Sequence, residues 1–149
     1  MPEFINYSTA ARVVLPAGQV PAYAYSLPEL QKDAEELHGI SPECTLAAAC
    51  ALYDRGLLSY PRVMGRYLDI KDFDEASRIV RDYQMATRSR RYDPTYQGPC
   101  WQEIESIAEK GIGLTSVAAG AMFGVGMTNE EAVIYRLVHA RFLRLFRRD

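Results

Sequence analysis

The amino-acid sequence predicts a mainly α fold, a compact helical domain with a helix-turn-helix core and a short β arm at its N-terminus. Three observations lead there. Ser26-Leu27-Pro28-Glu29 and Thr128-Asn129-Glu130-Glu131 both have the capping-box pattern, in which a hydroxyl accepts from the backbone three residues on and the glutamate reaches back. Apolar residues recur at three- and four-residue spacing behind each of them. Gly39 and Gly56 fall where a helix stops, Gly39 in the position that favours a left-handed residue.

Residues 1–25 are rich in Pro, Ala, Tyr and Val, with Val13-Val14-Leu15 as a short strand and Pro16, Gly18 and Pro21 as punctuation; they read as an extended arm. Ser26 then opens a first helix with Leu27, Leu30, Ala34 and Leu37 on one face, and Pro28 fits its first turn. A second helix starts at Ser41-Pro42-Glu43, with an apolar face of Leu46, Ala49, Cys50 and Tyr53. The two make a helix-turn-helix pattern. Leu57 to Tyr67 reads as extended structure or a loop. Asp72 is expected to cap a third helix whose face is Phe73, Ala76, Ile79, Val80 and Tyr83. Arg88 to Gln97 is a connection rich in Arg and Tyr. Trp101, Ile104, Ile107 and Ala108 predict a short fourth helix, and Gly111 to Met127 a loop rich in Gly and Ala. The last helix opens at Thr128. Its stripe is Val133, Ile134, Leu137, Val138, Phe142, Leu145 and Phe146, with Arg136, Arg144 and Arg147 on the opposite, solvated face.

A chain of 149 residues is enough for one domain with a real core. We read 1–25 as the arm and 26–149 as a single helical unit. A net charge of -2 argues against a strongly basic nucleic-acid wrapper, though a local basic patch can still steer DNA. Cys44, Cys50 and Cys100 form no CxxC pair and no zinc spacing, which points to reduced thiols in a cytoplasmic protein. There is no secretory signal and no apolar run approaching 18 residues, so no membrane partner is expected.

The informative stretch is Leu52-Tyr53-Asp54-Arg55-Gly56-Leu57-Leu58-Ser59-Tyr60-Pro61-Arg62, continuing to Arg66-Tyr67-Leu68. It resembles the tyrosine motif of type IA DNA topoisomerases, above all the topoisomerase III branch, where Leu-Tyr-Glu precedes Thr/Ser-Tyr-Pro-Arg-Thr-Asp-Ser-Arg-Tyr-Leu. Other pieces follow in order. Ser26-Leu27 with Leu30-Gln31 and Ala34 is similar to the family's Ser-Leu-x-x-Leu-Gln-x-x-Ala, and Cys100-Trp101 to its Cys-Trp/Phe-Asn. Thr128 through Tyr135, Leu137 and Arg141-Phe142-Leu143 is similar to its Thr-x-x-Glu-x-x-Ile-Tyr-x-Leu-Ile-x-Arg-Arg-Phe-Leu. The resemblance implies a catabolite-activator-like helical domain.

It also implies chemistry. In the family the tyrosine oxygen attacks a DNA phosphorus and forms a 5′-phosphotyrosyl bond. Tyr60 is therefore the candidate nucleophile, and Arg62 the group to stabilise phosphorane charge. A free phenol, with pKa about 10, needs such help at neutral pH. Arg66, Tyr67, Arg88, Arg90 and Arg91 are candidates to track phosphates and stack bases of single-stranded DNA. Three departures stand out. Val63-Met64-Gly65 replaces Thr-Asp-Ser. No histidine falls near Ser116-Val117-Ala118-Ala119, where the family has its His-x-Ala-Ile motif. The chain has no room for the metal-binding Toprim domain, so no cofactor is expected in it, and Mg²⁺ would need that separate domain. Asp72-Phe73-Asp74 matches the Toprim Asp-x-Asp but reads as a helix cap. The sequence thus supports a degenerate tyrosine domain that binds DNA, in DNA topology or processing, without strand passage alone. The alternative is a non-catalytic interaction or inhibitor protein that reuses the scaffold, with a topoisomerase or other DNA-processing protein as partner.

Overall fold

The computed structural model describes residues 23–115 and 126–147. Among them are four α-helices, α1 Leu27–His38, α2 Pro42–Asp54, α3 Phe73–Thr87 and α4 Asn129–Arg144. A short parallel pair joins β1, Leu68–Asp69, to β2, Trp101–Gln102. The mainly α class expected from the caps is the one found. The strand Val13-Val14-Leu15 lies outside the described residues; Tyr25 meets Ile112 in an antiparallel bridge.

The local signals at α1 work much as read. The Ser26 hydroxyl accepts from the Glu29 N–H at 3.4 Å. Gly39, at φ 67°, closes the helix by donating to the Glu35 carbonyl. The Glu29 carboxylate, expected to complete the box, goes instead to Arg141 in α4. In α2 the buried residues are Thr45, Ala48, Ala49 and Leu52, whereas Tyr53 of the expected face is exposed. The helix is apolar almost all round, so spacing cannot choose its inner face. Packing against both α1 and α4 does.

Two expectations need correction further along. Asp72 occupies the N-cap position of α3 but makes no side-chain cap bond; Asp69 caps the preceding 3-10 turn instead, accepting from the Lys71 N–H at 3.1 Å. The expected fourth helix over Trp101–Ala108 is β2 followed by a single 3-10 turn, Ile107–Glu109, closed by a Ser106–Glu109 capping box. Pairing with β1 holds Trp101 extended, and the Ser106 cap leaves only one turn before Gly111.

The described part of the expected Gly/Ala-rich loop, Gly111–Thr115, is extended. It is bridged to two separate segments through Tyr25–Ile112 and Leu58–Leu114, and Lys110 just before it is bridged to Tyr67. Two glycines permit this crossing. A Cβ on Gly65 would lie 2.0 Å from the Glu109 backbone carbon, and one on Gly111 2.9 Å from the Tyr25 carbonyl oxygen. No side chain fits either position.

α4 is the central element. On one side it joins α1, α2, Leu58 and Val63 in a core that includes Ile134, Tyr135 and Val138. On the other, Phe142, Leu143 and Phe146 pack with α3 and Trp101. The predicted stripe is there, but the opposite face is not solvated: Arg136 is buried and Arg144 half-buried. A helix covered on both sides takes in its arginines by laying their aliphatic stems against the core.

Candidate functional site

Tyr60 sits on a segment clamped on both sides. Just before it, the Ser59 N–H donates to the Gly113 carbonyl at 3.0 Å, and the Ser59 hydroxyl accepts from the Gly113 N–H at 2.8 Å. Just after it, Pro61 is fully buried. The Val63 N–H donates back to the Pro61 carbonyl at 2.9 Å, and the Val63 carbonyl accepts from the Leu27 N–H at 2.8 Å. Arg62 is thus the apex of a three-residue turn. Burial alternates from Tyr60 to Met64, with Pro61 and Val63 buried and Tyr60, Arg62 and Met64 exposed; beyond Gly65, Arg66 is exposed and Leu68 buried. Both candidate catalytic side chains are thus exposed.

Tyr60 is 40% exposed and packs edge-on against Tyr53, from the last turn of α2, with ring centroids 5.5 Å apart. Tyr53, read from sequence as part of the α2 core face, is therefore a neighbour of the candidate nucleophile. Of the three positions that depart from Thr-Asp-Ser, two have packing roles of their own. Val63 is buried, Gly65 allows the close approach to Glu109, and Met64 is exposed.

Arg66 and Tyr67 come together, with a third member the sequence did not single out. The Arg66 guanidinium lies 4.1 Å from the Tyr23 ring centroid and 5.8 Å from that of Tyr67. The two tyrosines meet edge to face at 5.7 Å. Cation–π stacking of this kind restrains an exposed arginine without neutralising it.

Arg88, Arg90 and Arg91 form a second basic group, at the C-terminal end of α3. Arg88 closes that helix in the left-handed conformation, φ 56°, which is unusual for a residue with a Cβ. Arg88 and Arg90 line an open groove of about 630 Å³ with Arg81 and Met85. Arg81 is a further cation of this group that the sequence reading missed; its place on the helix one to two turns before Arg88 was the available signal. Gln84 braces the loop: its side-chain oxygen accepts from the Tyr92 N–H at 2.8 Å and its carbonyl from the Ser89 N–H at 3.1 Å.

Behind the face lies a polar junction that sequence reading also missed. Arg141, buried in α4, forks onto Glu29 with two bonds of 3.1 Å and lies 3.8 Å from Asp33. Its guanidinium stacks over the Tyr25 ring at 3.9 Å, and the Tyr25 hydroxyl donates to Asp33 at 2.6 Å. Burial pushes the Tyr25 phenol far above its ordinary range, so it remains a neutral donor. His139, on the same helix, is buried between Tyr83 and Tyr135, and desolvation lowers its pKa to about 4. The Cys100 thiol is pushed up to about 12 by burial, which makes it a poor nucleophile.

The model of the DNA topoisomerase family matches residues 16–149. The chain belongs to the DNA topoisomerase family. Among curated proteins none matches it. The match spans every motif that carries the type IA resemblance, from Ser26 to Leu143. In this topoisomerase-family chain the candidate nucleophile, Tyr60, is exposed on its clamped segment. The histidine-motif positions Ser116–Ala119 lie outside the described residues. Among the described residues no group of three or more His, Cys, Asp or Glu can hold a metal ion, and Asp72 and Asp74 lie at the start of α3. No described helix is long and apolar enough to cross a membrane.

Proposed function

We propose that this chain is a topoisomerase III-like tyrosine domain that binds single-stranded DNA across the Tyr60–Tyr67 face and acts in DNA topology or processing. Strand passage would need groups from outside it. The observation that carries the reading is that Tyr60, Arg62 and Arg66 are all exposed while Pro61 and Val63 anchor the segment. Phosphates would pair with Arg62 and Arg66, and bases would stack on Tyr60 and Tyr67. The groove of Arg81, Arg88 and Arg90 is a second basic surface, with Arg91 next in sequence. α2 is not the reading helix: it has no Lys or Arg and exposes Glu43 and Asp54.

Chemically, Tyr60 is the group to attack phosphorus. Its oxygen would form the new P–O bond as the bond to the deoxyribose oxygen breaks; the phenolic proton must depart, and the leaving oxygen must gain a proton to become a hydroxyl. Arg62, two residues away, would stabilise the extra negative charge on the phosphorane. Val63 and Gly65 supply no acid or base for either proton, so we assign DNA binding to this chain and leave proton transfer to another domain.

The test is fluorescence anisotropy of a labelled single-stranded oligonucleotide at low and moderate salt. We expect affinity to fall steeply with salt and to weaken in Arg62→Ala. No binding at about 100 μM, the upper range of ordinary non-specific DNA affinity, would sink the proposal. A second reading, a protein-interaction module on this scaffold, draws on Met64. It is 71% exposed beside Arg62, where the family has a polar residue. That reading predicts a protein partner whose binding is insensitive to salt and is lost in Met64→Asp.

A further inference from the structure

The open groove of about 630 Å³ at the end of α3 is lined by Arg81, Gln84, Met85, Arg88, Ser89 and Arg90. No carboxylate lines it. Arg81, Arg88 and Arg90 are exposed and make no ion pair among the described residues. Three such guanidiniums around one groove attract an anionic occupant. The volume lies within the roughly 300–1,000 Å³ of ordinary ligand sites.

Two features set this groove apart from an ordinary solvated helix end. Arg88 is the only described residue other than glycine with a positive φ, 56°. Glycine is the usual residue at such a closing position, because a Cβ is strained there. Gln84 holds the turn twice over, its carbonyl accepting from the Ser89 N–H at 3.1 Å and its side-chain oxygen from the Tyr92 N–H at 2.8 Å. The fold thus keeps a strained arginine where glycine would sit free, and strain held in this way points to a use for the side chain. The second feature is Met85. At 80% exposure it is the most exposed of the large apolar side chains described. It stands four residues after Arg81 and three before Arg88, so α3 brings the three to one side. The flexible thioether offers an adaptable apolar contact between cations.

We propose that this groove docks an acidic segment of a partner protein, one in which carboxylates flank an apolar side chain. The carboxylates accept from Arg81 and from Arg88 or Arg90, and the apolar residue covers Met85. Arg81 and Arg88 are about two turns apart, about 10 Å of helix rise, which an extended peptide spans in about three residues. A single nucleic-acid strand fits the groove less well. None of the lining residues is aromatic, so bases find no ring to stack on, whereas single-strand sites combine cations with aromatic side chains. The Tyr60–Tyr67 face has both kinds of group; the groove has cations and a methionine. Docking here is independent of DNA binding at Tyr60, and either can fail alone.

The full chain is titrated into a fluorescein-labelled peptide, Gly-Glu-Glu-Leu-Glu-Glu-Gly, and into its counterpart with Ser for Leu, with anisotropy as the readout. A labelled single-stranded oligonucleotide is run on the same samples. We expect saturable binding of the Leu peptide that weakens with salt and is about fivefold tighter than that of the Ser peptide. Arg81→Gln and Arg88→Gly should each weaken it about tenfold. Met85→Ser should erase the preference for Leu, and oligonucleotide affinity should stay within about twofold in all three variants. Arg88→Gly relieves the strained backbone, so its Tm should equal or exceed that of wild type, and its lost binding is then not lost folding. No saturable response up to about 1 mM, equal binding of the two peptides, or peptide binding unchanged in Arg81→Gln and Arg88→Gly overturns the proposal. Oligonucleotide affinity that falls together with peptide affinity in those variants makes the groove a nucleic-acid surface and overturns it too. Self-association of the free chain that Arg88→Gly abolishes makes a second copy the occupant and overturns it likewise. Peptide binding without any oligonucleotide binding keeps the groove assignment and overturns the DNA reading.

Discussion

The Arg141 junction and the Tyr60–Tyr67 face use the same residue types to opposite ends. At the junction, an arginine, the Asp33 carboxylate and a phenol are buried and matched to one another, with the more exposed Glu29 completing the fork. On the face, arginines and tyrosines stand outward, restrained by ring contacts at Tyr53–Tyr60 and Tyr23–Arg66. The two regions are adjoining layers: Tyr25, in the junction, is two residues from Tyr23, on the face, and Glu29 lies two residues beyond Leu27, whose N–H anchors Val63. The lesson is that the buried layer fixes where the tyrosine segment runs, and the exposed layer is free to meet a ligand. Substitutions should therefore separate stability from binding.

The largest effect is expected at the junction. Arg141→Ala removes a buried cation and leaves Asp33 and Tyr25 facing each other without it. Breaking a buried pair from one side costs about 3–5 kcal/mol; because the Glu29 side chain is 45% exposed and can rehydrate, we expect about 3 kcal/mol in urea unfolding. Arg141→Lys should recover only part, since an ammonium cannot fork onto Glu29. An Arg141→Ala protein as stable as wild type would mean that the junction is not what holds α1 to α4.

Close behind comes Gly65→Ala. The added Cβ would fall 2.0 Å from Glu109 backbone, which has no flexible end to move aside, so overpacking costs about 2–3 kcal/mol. The comparison sharpens here, because Gly65 lies on the exposed segment but is needed for packing. If Gly65→Ala keeps full stability and loses only DNA binding, the boundary between the two layers has been misplaced.

His139 gives a smaller, pH-dependent effect. Its pKa is about 4 in the fold and about 6.5 in the unfolded chain. Between those values the unfolded state binds more protons, so stability falls as pH drops from about 6.5 toward 4 and is fully present above that window. The full linkage amounts to about 3 kcal/mol at most. The check is thermal unfolding across pH for wild type and His139→Gln, taking the difference so that carboxylate titrations cancel. Parallel curves would show that His139 is not buried in neutral form.

How much of this was legible in the sequence follows from how local each signal is. Ser26, Gly39, Ser41 and Thr128 act within one helical turn, and each helix they predict is present. Arg141 could not be read this way: its partner Glu29 is 112 residues away, and at α1 that glutamate already looked committed to a cap. The inner face of α2 and the burial of Arg136 were hidden for a related reason, since both depend on neighbours packing from two sides. Gly65 read as an interruption of a motif, because the backbone it must approach, Glu109, belongs to a segment expected to be helical. At the candidate site, Tyr60, Arg62, Arg66 and Tyr67 were legible as candidates by residue type and motif, but the exposure of Tyr60, Arg62 and Arg66 was not. Tyr23, Tyr53 and Arg81 join them only through the fold.

The smallest stability effect, and the sharpest test of the comparison, belongs to the face itself. Tyr60→Phe and Arg66→Ala change groups that are exposed and make no buried polar bond, so each should stay within about 0.5 kcal/mol of wild type. Their effects on binding should differ. Arg66→Ala removes a phosphate partner and should reduce the salt slope of oligonucleotide binding by about 0.7, the single-strand value per contact. It should also free the Tyr23–Tyr67 pair that the guanidinium now overlies. Tyr60→Phe keeps the ring and the Tyr53 contact, so it should leave the salt slope unchanged and remove only what depends on the hydroxyl. An SDS-resistant DNA adduct, if wild type forms one in the presence of a complementing metal-binding domain, must vanish in Tyr60→Phe and survive in Arg66→Ala. If Arg66→Ala leaves both affinity and salt slope intact, the strand does not follow this face, and the Arg81–Arg88–Arg90 groove becomes the surface on which to look for it.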